Sequence, residues 1–116
     1  EFIGKVSALE GEFRLKKGAQ IKRIINEAKE AMLNDMLFKR IERIVLYGSA
    51  AENKLTLRSD IDIAVKFDKV NLSQATLFRK RILGEVNNMV DVQVYNTLPK
   101  KIKKEIDTKG KIIYEK

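Results

Sequence analysis

The chain has 116 residues, of which 44% are hydrophobic and 34% charged, and its formal net charge is +8. This length suits one domain with a real core. The positive charge favours polyanionic partners such as nucleoside triphosphates or RNA, although a solvated surface explains it equally well. Cysteine and histidine are absent, which excludes disulfides, thiolate metal sites and histidine as a general base. Any catalysis must therefore use carboxylates, hydroxyls, lysine, arginine or a bound metal ion.

The organisation of the chain is predicted to be simple. No apolar run approaches the roughly 20 residues that a membrane span needs, and the first residues lack the apolar core of a signal peptide. We therefore expect a cytoplasmic protein with no membrane contact. No repeat or linker divides the sequence. We expect residues 18–116 to form one domain and residues 1–17 to be an N-terminal extension whose role the sequence does not define.

The first clear element is a helix. Apolar residues follow helical spacing from Ala19, and we expect the helix to end near Lys39. Before it, Gly4 and Gly11 interrupt a weaker apolar pattern, since glycine disfavours a helix interior.

Two strands are predicted next. Residues 43–47 form a short buried strand that ends at Gly48-Ser49, and a short helix or loop follows. Residues 60–67, "DIDIAVKF", alternate strictly. Isoleucine and valine therefore lie on one face of this strand, and Asp60 and Asp62 lie on the other.

The rest of the chain alternates helices and strands. A helix begins at the N-cap Ser73 and runs to about residue 87, and strand 90–95 carries Asp91. Pro99 opens a short basic helix, and Gly110 precedes a final strand at 111–115. This order predicts an α/β (α+β) fold, with a mixed sheet of about four strands and helices packed mainly on one face.

Three aspartates are the candidate catalytic and metal-binding residues. Asp60 and Asp62 share the polar face of their strand. Asp91 joins them if the two alternating strands are neighbours, because adjacent strands lie about 4.8 Å apart. Convergent carboxylates repel each other unless a cation lies between them, and Mg²⁺ is typical where phosphates complete its coordination. Two such ions suit phosphoryl or nucleotidyl transfer.

The Gly48-Ser49 pair is a candidate phosphate contact. Glycine lets the backbone approach a phosphate closely, the serine hydroxyl can donate to it, and a helical turn beginning at Ala50 would add free N–H groups. Alone, Gly-Ser is more often a turn, Asp-x-Asp a strand-edge feature, and Asp91 a solvated residue. Their order together favours phosphate chemistry.

This order of residues resembles the DNA polymerase β-type nucleotidyltransferase superfamily. It is most similar to the minimal nucleotidyltransferases, the MNT proteins that are paired with HEPN-domain toxins. Ser59, just before the first aspartate, and the closing segment "IDTKGKIIYEK" belong to the same resemblance, which covers roughly residues 41–115.

The resemblance implies a polymerase β-like fold and a metal-dependent transfer of AMP from ATP to an acceptor hydroxyl, with release of pyrophosphate. It implies that Asp60, Asp62 and Asp91 hold Mg²⁺, as two ions, and that Asp91 helps to deprotonate the acceptor. The residues expected at the nucleotide are Gly48, Ser49, Arg58 and Ser59.

One departure from the family pattern concerns the segment after Gly-Ser. Many relatives carry a basic residue and then a glycine there, whereas this chain has Glu52-Asn53. Asparagine tolerates a positive φ better than most residues, so the turn can be kept. Arg58 or Lys54 could supply the missing positive charge at the triphosphate.

The resemblance also implies a partner. In HEPN-paired members the acceptor is a tyrosine of the toxin, so this chain would be an antitoxin with a HEPN-domain partner. A homodimer or hetero-oligomer is compatible with the sequence. Three alternatives stay open: a catalytically idle antitoxin subunit that only occludes its partner, a metal nuclease, and a nucleic-acid-binding protein. Sparse aromatic residues and the lack of a base-reading motif give the last little support.

Overall fold

The computed structural model describes the backbone of residues 2–51 and 60–116, and the side chains of residues 18–49, 51 and 60–116. The predicted nucleotide contacts Arg58 and Ser59, together with Lys54 and the Glu52-Asn53 departure, lie outside the described residues. No helix in the described ranges is both long enough and apolar enough to cross a membrane.

The first helix, α1, spans Phe2–Leu33. Both predicted bounds were wrong, since the helix begins before Ala19 and ends before Lys39. The helix ends earlier because the Asp35 carboxylate accepts a hydrogen bond from the backbone N–H of Leu37 at 3.0 Å, while the Asp35 backbone carbonyl accepts from Phe38 at 3.0 Å. Aspartate competes with helical hydrogen bonding in this way, and the chain turns instead of continuing the helix.

The helices and strands after α1 are β1 (Ile41–Tyr47), β2 (Ile61–Phe67), α2 (Leu72–Leu83), β3 (Val90–Val94), α3 (Lys100–Lys109) and β4 (Lys111–Glu115). The four strands form one mixed sheet in the order β3-β2-β1-β4. Strand β1 is antiparallel to β2 and β4, whereas β2 and β3 are parallel and are joined through helix α2. The sheet and the three α-helices confirm the predicted fold class.

The main core lies between the sheet and helices α1 and α2. The alternating residues of β2 are fully buried there, and Phe67 meets Phe78 of α2 edge to face with ring centroids 5.0 Å apart. Each large side chain buried in this way stabilises the fold by about 1.5–3 kcal/mol. This layer fixes which face of β2 and β3 is apolar, and therefore which face carries the aspartates.

Helix α3 packs on the opposite face of the sheet. Its Ile106 forms a second, smaller buried cluster with Val45 of β1 and Ala64 of β2. Ala64, which shares with Asp62 one face of β2, is buried beneath this helix. The aspartate face is therefore open at one end and covered by α3 further along.

The N-cap of helix α2 lies two residues before the predicted N-cap Ser73. This N-cap is Asn71, whose side chain accepts from the Gln74 backbone N–H at 2.7 Å. In return the Gln74 side chain accepts from the Asn71 backbone N–H at 3.1 Å. Asn71 rather than Ser73 is the N-cap because a glutamine lies three residues after Asn71 and completes a reciprocal capping box.

A bidentate ion pair joins the end of α1 to α2. Arg81 Nε donates to Asp35 Oδ1 at 2.8 Å and its Nη2 donates to Oδ2 at 2.9 Å. The Asp35 side chain is only 6% exposed. The hydrogen bond from Arg81 holds the pKa of Asp35 below its usual value, and the Leu37 backbone N–H adds to this effect.

We therefore expect the Asp35→Asn variant to be less stable than wild type at pH 7, by about 2 kcal/mol. Because the folded-state pKa is lowered, this stability is present above the unfolded value of about 4 and is lost as pH falls through the folded value. Urea unfolding at pH 7 and pH 3 measures the difference. The control is Glu30→Gln, an exposed residue of α1. An equal loss in the Asp35 variant at both pH values would contradict the role given to the ionised pair.

Candidate active site

The parallel register of β2 and β3 pairs Asp62 with Asp91. The two alternating strands are thus neighbours, which is the condition for Asp91 to join Asp62, and the two aspartates lie side by side on the same face. Both are partly exposed. Asp60 directly precedes β2 and is exposed. The structure thus assembles a pair of carboxylates, with a third carboxylate at the start of the same strand.

The electrostatics of Asp62 reflect this crowding. Burial raises the pKa of Asp62 above its usual value, and the negative charges of Asp91, Asp60 and Glu105 raise it further. A like charge nearby disfavours the ionised form of a carboxyl group. Within residues 2–51 and 60–116, however, no three acidic residues come close enough together to hold a metal ion. The described residues therefore present a cation-favouring pair of aspartates but no complete set of three metal ligands.

The Gly48-Ser49 turn lies directly against Asp62. Gly48 has a φ of 64°, a left-handed conformation that glycine adopts without steric cost. A Cβ atom at Gly48 would lie 2.6 Å from Asp62 Oδ2. The backbone of this turn therefore approaches the carboxylate more closely than any side chain at position 48 permits. Gly48 begins a single 3₁₀ turn, Gly48–Ala50, whereas the sequence predicts a helical turn from Ala50 or a loop.

Tyr47 is a site residue that sequence reasoning missed. It pairs with Asp62 across β1 and β2, and it packs against the apolar cluster beneath α3. Burial raises the pKa of Tyr47 to about 12, and the charges of Asp62, Asp91 and Glu105 contribute to the increase. The phenol is therefore neutral at physiological pH. Its place one residue before Gly48, at the end of a strand, was the sequence feature that could have identified it.

Two further residues that the sequence reasoning missed contact Asp91. Gln93 Nε2 donates to Asp91 Oδ2 at 3.2 Å, and Arg79 Nη2 lies 3.8 Å from Asp91 Oδ1. Gln93 could have been inferred, because residues two apart on a strand share a face. Arg79 belongs to α2, and nothing in its local sequence indicates this contact.

Comparison with known families and proteins gives consistent results. The family model described as "Polymerase beta, Nucleotidyltransferase" matches residues 20–116. A Methanocaldococcus jannaschii protein, MJ1547, carries the provisional name of protein adenylyltransferase and is 41% identical over 71 residues. That match covers 61% of this chain and 53% of the relative, so it spans about half of the relative's length.

Solved structures share the fold. A crystal structure of a toxin-antitoxin with AMP-PNP has a TM-score of 0.64 at 18% identity, covering 78% of this chain and 73% of that one. A structure of tri-AMPylated Shewanella oneidensis HEPN toxin in complex with MNT antitoxin has a TM-score of 0.56 at 20% identity, covering 79% and 71%. A Sulfolobus solfataricus protein, provisionally named a nucleotidyltransferase, has a TM-score of 0.52 at 24% identity, covering 95% and 88%. At these identities the likeness establishes the fold alone.

Proposed function

The chain belongs to the polymerase beta nucleotidyltransferase family, and we propose that it transfers AMP from ATP to an acceptor hydroxyl. The observation that carries this proposal is the pairing of Asp62 with Asp91 beside the tight Gly48 turn. The provisional name of the Methanocaldococcus jannaschii relative supports AMP as the transferred group. The AMP-PNP in one structural neighbour supports an adenine nucleotide as donor.

The chemistry of the candidate ligands fits Mg²⁺. Asp60, Asp62 and Asp91 offer hard carboxylate oxygens, and the chain has neither histidine nor cysteine, which would suit softer metals. Mutual repulsion around Asp62 is relieved by a cation. We propose that these three aspartates hold two ions together with the triphosphate, whose oxygens complete the set of ligands. When bound, Mg²⁺ would activate the acceptor oxygen and stabilise the leaving pyrophosphate.

In the proposed reaction, the acceptor oxygen forms a bond to the α-phosphorus of ATP as the bond to the bridging oxygen of pyrophosphate breaks. Asp91 takes the proton of the acceptor hydroxyl, and the leaving pyrophosphate keeps the electron pair. Gly48 and Ser49 bind the triphosphate, with Arg58 and Ser59 as further nucleotide contacts. Tyr47 stays protonated, because its pKa is about 12, and so adds no negative charge beside the nucleotide.

We propose that the acceptor is a tyrosine of a HEPN-type toxin, which makes this protein the antitoxin of a cytoplasmic pair. The support comes from two structural neighbours that are toxin-antitoxin structures, one of which contains a tri-AMPylated HEPN toxin. Modification of a toxin tyrosine would add a bulky, negatively charged AMP group to the toxin surface.

The first experiment is a calorimetric titration with ATP, GTP, CTP and UTP, each with and without Mg²⁺. We expect ATP to bind best, to require Mg²⁺, and to lose its binding in the Asp60→Asn/Asp62→Asn double variant. The matched control is Asp68→Asn, an exposed aspartate just past the end of β2, which should bind ATP like wild type. If the wild type binds no nucleotide, the transferase proposal fails and the idle, partner-binding antitoxin becomes the leading alternative.

A further inference from the structure

Arg79 contacts Asp91 from the opposite side of the sheet. Its neighbour Phe78 is fully buried in the core beneath α2, whereas Asp91 lies on the face that carries Asp62. The two faces meet at β3, because β3 is the edge strand of the sheet. The Arg79 side chain passes around this edge, which brings a residue from the core layer to the candidate site.

The guanidinium group of Arg79 is held in place by the backbone. Its Nε donates to the Val92 carbonyl at 2.6 Å, and its Nη2 lies 3.8 Å from Asp91 Oδ1. Val92 directly follows Asp91, so the two contacts belong to adjacent residues of β3. A planar guanidinium with one N–H fixed has little freedom in its remaining donors. Arg79 is therefore a preset group beside the carboxylate.

Both oxygens of Asp91 have a neighbouring donor, since Gln93 Nε2 donates to Oδ2. The side chains of Arg79 and Asp91 are 42% and 38% exposed, and ion pairs of that exposure contribute little to stability. The contact is thus too weak to matter greatly for folding. It does restrict the direction in which the carboxylate points.

We propose that Arg79 is a positioning residue that orients Asp91 for the metal ion and the acceptor. This inference rests on the proposed function, because it assigns Arg79 a role through Asp91. The positive charge of Arg79 also acts on the site more widely: it opposes the carboxylates that raise the pKa of Tyr47. An arginine that only covered the edge of β3 would affect stability without affecting ligand binding.

The experiment measures Mn²⁺ binding in the presence of ATP by electron paramagnetic resonance, with Mn²⁺ in place of Mg²⁺. We expect Arg79→Gln to weaken Mn²⁺ binding by about tenfold or more, as removal of a residue that orients a metal ligand typically does. Arg79→Lys should restore part of the affinity. The control is Lys80→Gln, the exposed neighbour on α2, which should leave the affinity unchanged. Urea unfolding should show that Arg79→Gln is fully folded under the conditions of the binding measurement.

A double-variant comparison tests whether Arg79 acts through Asp91. In the Asp91→Asn background, we expect Arg79→Gln to cause no additional loss of Mn²⁺ affinity. An equal additional loss would mean that Arg79 contacts the nucleotide directly, and it would overturn the inference. Unchanged affinity in the single Arg79→Gln variant would also overturn it while leaving the proposed function intact. Failure of the wild type to bind Mn²⁺ and ATP would instead refute the proposed function, and the inference with it.

Discussion

The Asp62→Asn variant is expected to lose nucleotidyl transfer by about 10³-fold or more, since metal stabilisation of the transition state contributes several kcal/mol. Asp62 is in register with Asp91 and in contact range of the Gly48 turn. Replacing it removes a proposed metal ligand without changing the size of the side chain. Transfer is measured with α-labelled ATP and a purified HEPN-domain toxin as the acceptor.

The same variant is expected to unfold at a higher temperature than wild type when no metal is present. The folded-state pKa of Asp62 is raised, first by burial and then by Asp91 and Asp60. An acid of this kind destabilises the folded state once ionised, so wild-type stability falls as pH rises past the usual aspartate value of about 4. The asparagine variant lacks this contribution.

The combination of lower activity and higher stability distinguishes a functional residue from a structural one. Thermal unfolding at pH 7 with a metal chelator measures the stability, and Asp68→Asn is the control for loss of a negative charge. Full transfer activity in the Asp62 variant would remove Asp62 from the metal site. Neutralisation of the toxin by a variant that cannot transfer AMP would support the idle, partner-binding alternative.

Gly48→Ala is expected both to destabilise the protein and to weaken Mg²⁺-dependent ATP binding. A non-glycine residue in the left-handed conformation costs about 1–2 kcal/mol, and Gly48 has a φ of 64°. The added Cβ would also lie 2.6 Å from Asp62 Oδ2, so the carboxylate must move. We expect a loss of at least about 1 kcal/mol in the free energy of unfolding, with ATP affinity falling as Asp62 is displaced.

The two effects of this substitution can be separated. In an Asp62→Ala background the clash disappears, so Gly48→Ala should retain only the cost of its backbone conformation. Gly84→Ala is the control: Gly84 ends α2 with a φ of −75°, and an added Cβ would meet its nearest atoms at 3.5 Å, an ordinary contact. Guanidinium unfolding and ATP calorimetry on the wild type and on the four variants (Gly48→Ala, Asp62→Ala, their combination and Gly84→Ala) give the comparison. Wild-type stability in the Gly48 variant would contradict the strain assigned to this turn.

The pairing of aspartates could be predicted from the sequence because it depends on a local period. Strands β2 and β3 each alternate, and their buried residues, such as Ile63 and Val92, fix the faces of both strands. Once the faces are known, the only further requirement is that the strands are neighbours. The glycine turn was predicted for a similar reason, since few residues other than glycine tolerate a close backbone approach.

Other features depended on competition that no local pattern resolves. The end of α1 was set by the Asp35 side chain bonding to Leu37, although the apolar period continued beyond it. Asn71 and Ser73 are both good capping residues, and α2 starts after Asn71 because the Gln74 side chain accepts from its backbone N–H. Arg79 reaches Asp91 only because β3 is an edge strand, and the covering of Ala64 by α3 depends on tertiary packing.

Because β2 and β3 alternate strictly, the pattern that builds the core also fixes the positions of the aspartates. A slip of one residue along β2 would turn Asp62 into the hydrocarbon layer and expose Ile61 and Ile63 to water. Such a shift would cost far more than any single contact at the site. Natural variation that preserves the core therefore preserves the positions of the aspartates, even where selection on the reaction itself is relaxed. The two acidic positions can outlast the activity proposed for them, and a lineage that lost transfer would keep the backbone framework on which it could be regained.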